Sequence, residues 1–332
     1  MNQDLMIRLF RSIEGEKKDD IVQVAEFIID DERKKGHTRL ADRLSSILES
    51  NINTHQSYKG EMQNIFGSDL NIPKENRNNI PLATAISREN LRHEMVLPAE
   101  IELKIQRIEK EFVARERLAL YGLKPRRRIL FHGGPGCGKS MSAERIAWNI
   151  GLPFLKVRFE AIISSYLGES ASNLKKLFEA IKNFPCVLLL DEFDFIAKSR
   201  DSKHDVGEMH RIVNILLNVL EDYEGPGIIV ATTNLEGSID KALFRRFDDI
   251  IEITKPGKEE ILRILKSTLS AIDTQPNLAW KDLSNKMLGF SAALIVKIAI
   301  DAAKISVIQG KGIVNEDNIL QSLSENQLYY KS

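Results

Sequence analysis

The chain has 332 residues, of which 43% are hydrophobic and 28% are charged, and its 47 basic side chains balance 47 acidic ones. This composition is typical of a soluble globular protein, and the zero net charge gives no overall attraction to nucleic acid or to an anionic membrane. We therefore expect neither of them as a partner. Two cysteines, Cys137 and Cys186, and an N-terminus without an apolar core favour a cytoplasmic location.

The first 94 residues show two kinds of sequence. Residues 1–50 contain apolar positions at intervals of three and four, such as Ile21, Val24 and Ile28, which predicts a small helical N-terminal module. Residues 51–94 are rich in asparagine and include proline, which favours a loosely structured linker. Long unstructured segments are rare inside compact domains, so we place a domain boundary here.

The rest of the chain predicts an α/β domain followed by a helical domain. After a helix predicted over 97–121, five apolar runs are typical of buried parallel strands: 129–131, 155–159, 186–190, 228–231 and 250–253. Helical patterns separate these runs. Repeated βα units predict a parallel five-stranded sheet flanked by helices in a domain over 95–254. Residues 255–332 show helical periodicity without a strand pattern.

A glycine-rich loop joins the first of these strands to a helix. It reads Gly-Gly-Pro-Gly-Cys-Gly-Lys-Ser over 133–140 and matches the phosphate-loop pattern G-x-x-x-x-G-K-[ST]. Backbone amides and a helix N-terminus suit a polyphosphate, so we expect ATP or ADP to contact this segment. Lys139 would neutralise the β- and γ-phosphates, and the Ser140 hydroxyl would bind Mg²⁺. The predicted nucleotide-binding residues are Gly133, Gly134, Pro135, Gly136, Cys137, Gly138, Lys139, Ser140 and Met141.

Polar residues also follow the third and fourth strand patterns. Asp191 and Glu192 come directly after the run 186–190, and Asn234 follows the run 228–231. Ligands bind at the carboxyl ends of the strands in such sheets, so these residues are predicted to lie beside the phosphate loop. Asp191 would hold Mg²⁺ through its water shell, Glu192 would polarise the attacking water, and Asn234 would orient that water.

Two adjacent arginines, Arg245 and Arg246, follow these motifs. An arginine finger stabilises negative charge on a transferring phosphoryl group, so either residue is a candidate for that role. A solvated surface pair is the alternative interpretation.

The order of these motifs resembles that of the AAA family of ring-forming P-loop NTPases over about residues 95–332. The resemblance implies a Walker A motif at 131–140, a Walker B motif at 190–194, a sensor 1 residue at Asn234 and an arginine-finger segment at 240–248. The family separates its two arginines by two residues, whereas here they are adjacent. Arg245 stands at the position of the first, but which of the two is the finger stays open.

The resemblance also implies how the domains would act. The helical domain over 255–332 would be a lid, and Tyr166 and Leu167, within the stretch Tyr-Leu-Gly-Glu-Ser, would form a pore loop that grips a polypeptide. A Mg²⁺-dependent ATPase is implied that assembles as a homo-oligomer, with a hexamer favoured, and remodels, unfolds or threads a protein substrate. The layout is further similar to small bacterial AAA ATPases encoded beside subtilisin-like peptidases, which makes such a peptidase a candidate partner.

Two other functions stay open at this point. A nucleotide-controlled loader or scaffold would bind a partner with little turnover. A small-molecule kinase would share the phosphate loop but would not need the adjacent arginines, the pore-type loop or the helical lid.

Overall fold

The computed structural model describes residues 72–75, 79–163, 169–193, 206–234, 244–310 and 312–328. The chain divides into two compact units. The first unit covers Asp69–Thr254, and the second contains Lys255–Ser332. The predicted N-terminal helical module and the predicted pore-loop residues Tyr166 and Leu167 lie outside the described residues. The four-part domain division therefore stays a prediction.

A six-stranded sheet forms the centre of the first unit. Five of its strands are parallel to one another and lie in the order β3 (Phe154–Val157), β4 (Val187–Leu190), β5 (Ile228–Thr233), β2 (Arg128–His132) and β6 (Asp249–Glu252). This confirms the α/β fold with a mainly parallel sheet. Every residue of β4 and β5 is buried, as expected for strands covered on both faces. The strands are β1 (Ala83–Ile86), β2 (Arg128–His132), β3 (Phe154–Val157), β4 (Val187–Leu190), β5 (Ile228–Thr233) and β6 (Asp249–Glu252).

The sixth strand, β1, was not predicted. It lies within the segment interpreted as a linker and pairs antiparallel with the edge of β3, with Ala83 opposite Val157 and Ile86 opposite Phe154. Leu82 and Ala83 are buried against the sheet. A strand of four residues gives too short an alternation of apolar and polar residues to recognise. It nevertheless covers an edge of β3 that would otherwise be unpaired.

Helices cover both faces of this sheet. One apolar core includes Leu177 from α5 (Glu169–Ile181) and Leu216 from α6 (Val206–Glu221). The other includes Ile105 from α1 (Ala99–Val113) and Ile146 from α3 (Lys139–Ile150). The helix predicted over 97–121 is divided at Ala114 into α1 and α2. The helices are α1 (Ala99–Val113), α2 (Arg115–Leu120), α3 (Lys139–Ile150), α4 (Phe159–Ile162), α5 (Glu169–Ile181) and α6 (Val206–Glu221).

The part of the second unit that the structure describes is mainly helical, as predicted for 255–332. Its helices are α7 (Lys258–Thr268), α8 (Trp280–Lys286), α9 (Ala292–Ile308) and α10 (Glu316–Leu328). Two short strands, β7 (Asp273–Thr274) and β8 (Ile313–Val314), pair in parallel. The expectation of no strands was therefore wrong, because two-residue strands give no recognisable alternation. None of the described helices is both long enough and apolar enough to cross a membrane.

Charged side chains fix the start of β2. Asp248 Oδ2 accepts hydrogen bonds from the backbone N–H groups of Arg127 and Arg128, at 2.9 and 3.0 Å, and Oδ1 accepts from Arg128 Nη2 at 2.6 Å. Arg128 Nη1 also donates to the carbonyl groups of Leu220 and Glu221 at the end of α6. These contacts join β2, which leads into the phosphate loop, to α6 and to the start of β6.

The Asp248 anchor makes stability depend on pH. Burial tends to raise the pKa of the Asp248 carboxyl, but the Arg128 side chain and the two backbone donors outweigh burial, and the pKa lies below its ordinary value. A carboxylate with a depressed pKa stabilises the folded state at pH values above the ordinary aspartate pKa, about 4, and this stabilisation is lost as pH falls through the folded-state value.

We predict that Asp248→Asn lowers the free energy of unfolding by about 1–2 kcal/mol at pH 7, because the charged partner of Arg128 is removed. The difference between variant and wild type should shrink as pH falls from about 5 towards 3. Urea unfolding at several pH values measures both effects. Asp222→Asn, at an exposed position after α6, is the matched control and should show neither effect. A difference for Asp248→Asn that is constant across this pH range would contradict the assignment.

Candidate nucleotide site

The phosphate loop between β2 and α3 has a backbone that requires glycine. Gly133 has a φ of 136°, and a Cβ atom there would lie 2.3 Å from the carbonyl oxygen of Ile253. Gly138 has a φ of 104°, and its Cβ would lie 3.0 Å from Met95 Cε. A side chain at Gly133 would collide with backbone, and at Gly138 the left-handed backbone conformation disfavours any residue with a Cβ atom. Since α3 begins at Lys139, the loop ends at a helix N-terminus, which suits an anion such as a polyphosphate.

Lys139 places its ammonium group inside this loop. Nζ donates to the carbonyl oxygens of Gly133 and Gly134, both at 2.8 Å, and to Asn234 Oδ1 at 2.7 Å. The residue is only 8% exposed. The positive charge is thus held between the loop and the end of β5, and two of the predicted site residues, Lys139 and Asn234, are in direct contact.

Side chains from three elements, α3, β3 and β5, meet at Asp191. Its Oδ1 accepts hydrogen bonds from Ser140 Oγ and Thr232 Oγ1, both at 2.6 Å, and its Oδ2 accepts from Lys156 Nζ, also at 2.6 Å. Burial tends to raise the pKa of the Asp191 carboxyl, but these three donors outweigh burial and hold the pKa below its ordinary value. A hydroxyl and a carboxylate side by side are the hard oxygen donors that Mg²⁺ prefers, so the residues present fit this ion.

Glu192 has an unusual backbone conformation. Its φ of 53° lies in the left-handed region, which non-glycine residues seldom adopt. The Glu192 N–H donates to Thr232 Oγ1 at 3.0 Å, and the Phe193 N–H donates to the Thr232 carbonyl at 2.8 Å. The Glu192 side chain is exposed. A single threonine at the end of β5 therefore holds both the Asp191 carboxylate and the backbone of the candidate base.

The two adjacent arginines have different surroundings. Arg246 is partly buried, and its Nη2 lies 2.9 Å from Glu221 Oε2 at the end of α6. Arg245 is exposed and forms no ion pair among the residues that the structure describes. The structure thus distinguishes two residues that were equivalent candidates in the sequence.

An ion pair between a buried glutamate and an exposed arginine fixes the helix that follows the loop. Glu144 on α3 is 4% exposed and forms an ion pair with Arg92. It also accepts hydrogen bonds from the Arg92 backbone N–H at 2.8 Å and from Nε at 3.0 Å. The segment before α1 is thereby attached to the phosphate-loop helix.

Sequence reasoning missed three contributors to this site: Lys156, Thr232 and the pair of Arg92 with Glu144. Lys156 lies 35 residues before its partner, and Arg92 lies 52 residues before its own, so no local spacing connects them. Thr232 gave a weak signal in the sequence. A hydroxyl at the end of a strand can donate a hydrogen bond to a carboxylate at the end of the neighbouring strand.

Strand, glycine loop and helix, with a lysine in the loop and a serine bound to a strand-end aspartate, define a P-loop nucleoside triphosphatase. Residues 129–255 match the ATPase family associated with various cellular activities (AAA). The chain is 34% identical over 316 residues to an uncharacterized AAA family ATPase of Sinorhizobium fredii, an alignment that covers 93% of this chain and 91% of that protein. The chain belongs to the AAA family and is an ATP-binding ATPase.

Two longer relatives match a little over 60% of this chain. The chain is 30% identical over 219 residues to the ATP-dependent zinc metalloprotease FtsH of Sulfurovum sp.. This alignment covers 64% of this chain and 33% of that protein. It is 32% identical over 209 residues to the 26S proteasome regulatory subunit S10B homolog B of Arabidopsis thaliana. This second alignment covers 61% of this chain and 52% of that protein. The matched regions thus span only a third to about a half of these two proteins.

We predict that Thr232→Val slows ATP hydrolysis far more than Thr232→Ser. Valine keeps the shape of threonine but lacks the hydroxyl, so Asp191 loses a donor and the Glu192 N–H loses its acceptor. We expect kcat to fall at least about tenfold, and the free energy of unfolding to fall by roughly 1–3 kcal/mol. Steady-state kinetics at saturating ATP and urea unfolding measure the two effects. Equal rates for the valine and serine variants would show that the hydroxyl is not needed.

Proposed function

We propose that the chain is a Mg²⁺-dependent ATPase that assembles as a homo-oligomeric ring, with a hexamer favoured, and uses ATP hydrolysis to remodel or thread a protein. The proposal of a ring rests on the different surroundings of Arg245 and Arg246. Arg246 is paired with Glu221 within its own chain, whereas Arg245 is exposed. An arginine that acts on a nucleotide in a neighbouring subunit must be presented at the surface, as Arg245 is.

The residues of one chain support the hydrolysis part. The loop amides and Lys139 would hold the β- and γ-phosphates, and Ser140 and Asp191 would hold Mg²⁺. The ion supplies charge neutralisation at the phosphate oxygens when it is bound. Glu192 would take a proton from the attacking water, and Asn234, which contacts Lys139, would orient that water.

Arg245 would complete the site from the next subunit. The transferring phosphoryl group spreads negative charge over its oxygens, and a guanidinium supplied by a neighbouring chain stabilises that charge. Activity would then depend on assembly, because each nucleotide would lie between two copies of the chain.

The protein-substrate part is supported by relatives and by a sequence pattern. Two relatives are named as a metalloprotease and as a proteasome regulatory subunit, which connects them with proteolysis. Tyr166 and Leu167 stand in a stretch that resembles a pore loop, where an aromatic side chain gives large apolar contact without sequence specificity. A subtilisin-like peptidase stays a candidate partner on the similarity of sequence layout.

We predict that Arg245→Ala reduces kcat by at least about 10³-fold and leaves ATP affinity nearly unchanged, because the arginine acts on transition-state charge. Arg246→Ala should instead lower stability by about 1 kcal/mol or less through loss of the Glu221 pair, with a smaller effect on kcat. Mixed oligomers of Arg245→Ala and Lys139→Ala subunits should regain part of the activity, since each chain supplies what the other lacks. Loss of rate with Arg246→Ala alone would reverse the assignment of the finger.

We predict that Glu192→Gln binds ATP but hydrolyses it at least about 100-fold more slowly than wild type, because the base is removed while the phosphate contacts remain. In this variant, ATP should stabilise a complex with an unfolded protein such as labelled casein, measured by fluorescence anisotropy. Lys139→Ala is the control and should show neither ATP binding nor ATP-dependent anisotropy. A wild-type protein that binds ATP with little turnover, even when casein is present, would favour the loader or scaffold function.

A further inference from the structure

Lys156 places a positive charge directly on the proposed metal site. It stands on β3, opposite Leu189 of β4, and its Nζ lies 2.6 Å from Asp191 Oδ2. The Asp191 side chain is 15% exposed, whereas the Lys156 side chain is 45% exposed. The carboxylate is therefore largely enclosed, while the long lysine side chain has room to swing into solvent without disturbing the core.

The donors on Asp191 differ in how they respond to a cation. Ser140 Oγ donates to Oδ1, and a hydroxyl has two lone pairs besides its proton. Ser140 can thus keep its bond to Asp191 and still bind a metal ion through its oxygen. An ammonium group has three donors and no acceptor, so Lys156 cannot bind a metal ion itself, and its positive charge opposes metal binding at the carboxylate.

We infer that Lys156 takes the place of the divalent cation beside Asp191 when no metal is bound, and that it leaves Asp191 when the metal enters. In the metal-free protein, its charge offsets a carboxylate that would otherwise repel an incoming polyphosphate. When the metal binds, the two cations repel each other across one carboxylate, so the lysine weakens metal binding. Lys156 thereby lowers metal affinity and makes nucleotide binding less dependent on metal.

This role of Lys156 rests on the proposed metal site at Ser140 and Asp191. The alternative explanation is that the Lys156 ammonium binds a phosphate group of the nucleotide directly. The two explanations differ in metal dependence. A phosphate contact strengthens nucleotide binding equally with and without metal, whereas a cation substitute strengthens it only when metal is absent.

Lys156→Met separates these explanations because it removes the charge and keeps the length of the side chain. Mn²⁺ affinity is measured by electron paramagnetic resonance at saturating AMP-PNP, and AMP-PNP affinity is measured by calorimetry in EDTA and in Mn²⁺. We expect Mn²⁺ to bind about three- to tenfold more tightly to the variant, and AMP-PNP in EDTA to bind more weakly by a similar factor.

Two lysine variants serve as controls. Lys156→Arg keeps the charge and should behave nearly as wild type. Lys182→Met neutralises a lysine that is 64% exposed and ion-paired with Glu179, and it should leave both affinities unchanged. Circular dichroism establishes that each variant is folded.

The inference is overturned if Lys156→Met leaves Mn²⁺ affinity unchanged, or if its AMP-PNP affinity falls by the same factor in EDTA and in Mn²⁺. Asp191→Asn distinguishes this failure from a failure of the metal site itself. If Asp191→Asn keeps wild-type Mn²⁺ affinity, both the metal site and the role of Lys156 are wrong. If Asp191→Asn weakens Mn²⁺ binding while Lys156→Met does not strengthen it, only the role of Lys156 is wrong.

Discussion

The hydrogen bond between Ser140 and Asp191 joins the two halves of the candidate nucleotide site. Ser140 follows the loop after β2, Asp191 follows β4, and β5 lies between these strands in the sheet. The contact forms because the three strands are parallel and end at the same edge of the sheet. Thr232 at the end of β5 donates to the same carboxylate oxygen and so fills the gap between them. The site therefore depends on strand order and register as much as on residue type.

Packing and charge together hold that register. β4 and β5 are buried throughout, and apolar cores cover both faces of the sheet. Asp248 anchors the start of β2, and Glu144 anchors the helix after the loop through its ion pair with Arg92. A largely buried carboxylate such as Asp191 is costly unless donors surround it, and its three donors come from three different elements. The same contacts thus stabilise the fold and hold the side chains of the proposed cation and polyphosphate site.

The sequence predicted those features that depend on local pattern. Parallel strands buried on both faces appear as apolar runs, and the phosphate loop has a fixed spacing that locates Lys139 and Ser140. The strand β1 was too short to recognise. The contact of Lys156 with Asp191 depends on which strands are neighbours, and no spacing along the chain encodes it. The distinction between Arg245 and Arg246 likewise depends on a glutamate at the end of α6.

We propose that Ser140 and Asp191 form one cation site that Lys156 occupies in the absence of metal. The most direct measurement is a crystal structure with AMP-PNP and Mn²⁺, in which anomalous scattering locates the metal. We expect one Mn²⁺ peak about 2 Å from Ser140 Oγ and beside Asp191, with the Lys156 ammonium displaced from the carboxylate. A peak remote from both residues, or a Lys156 ammonium that stays on Asp191 with the metal bound, would contradict it.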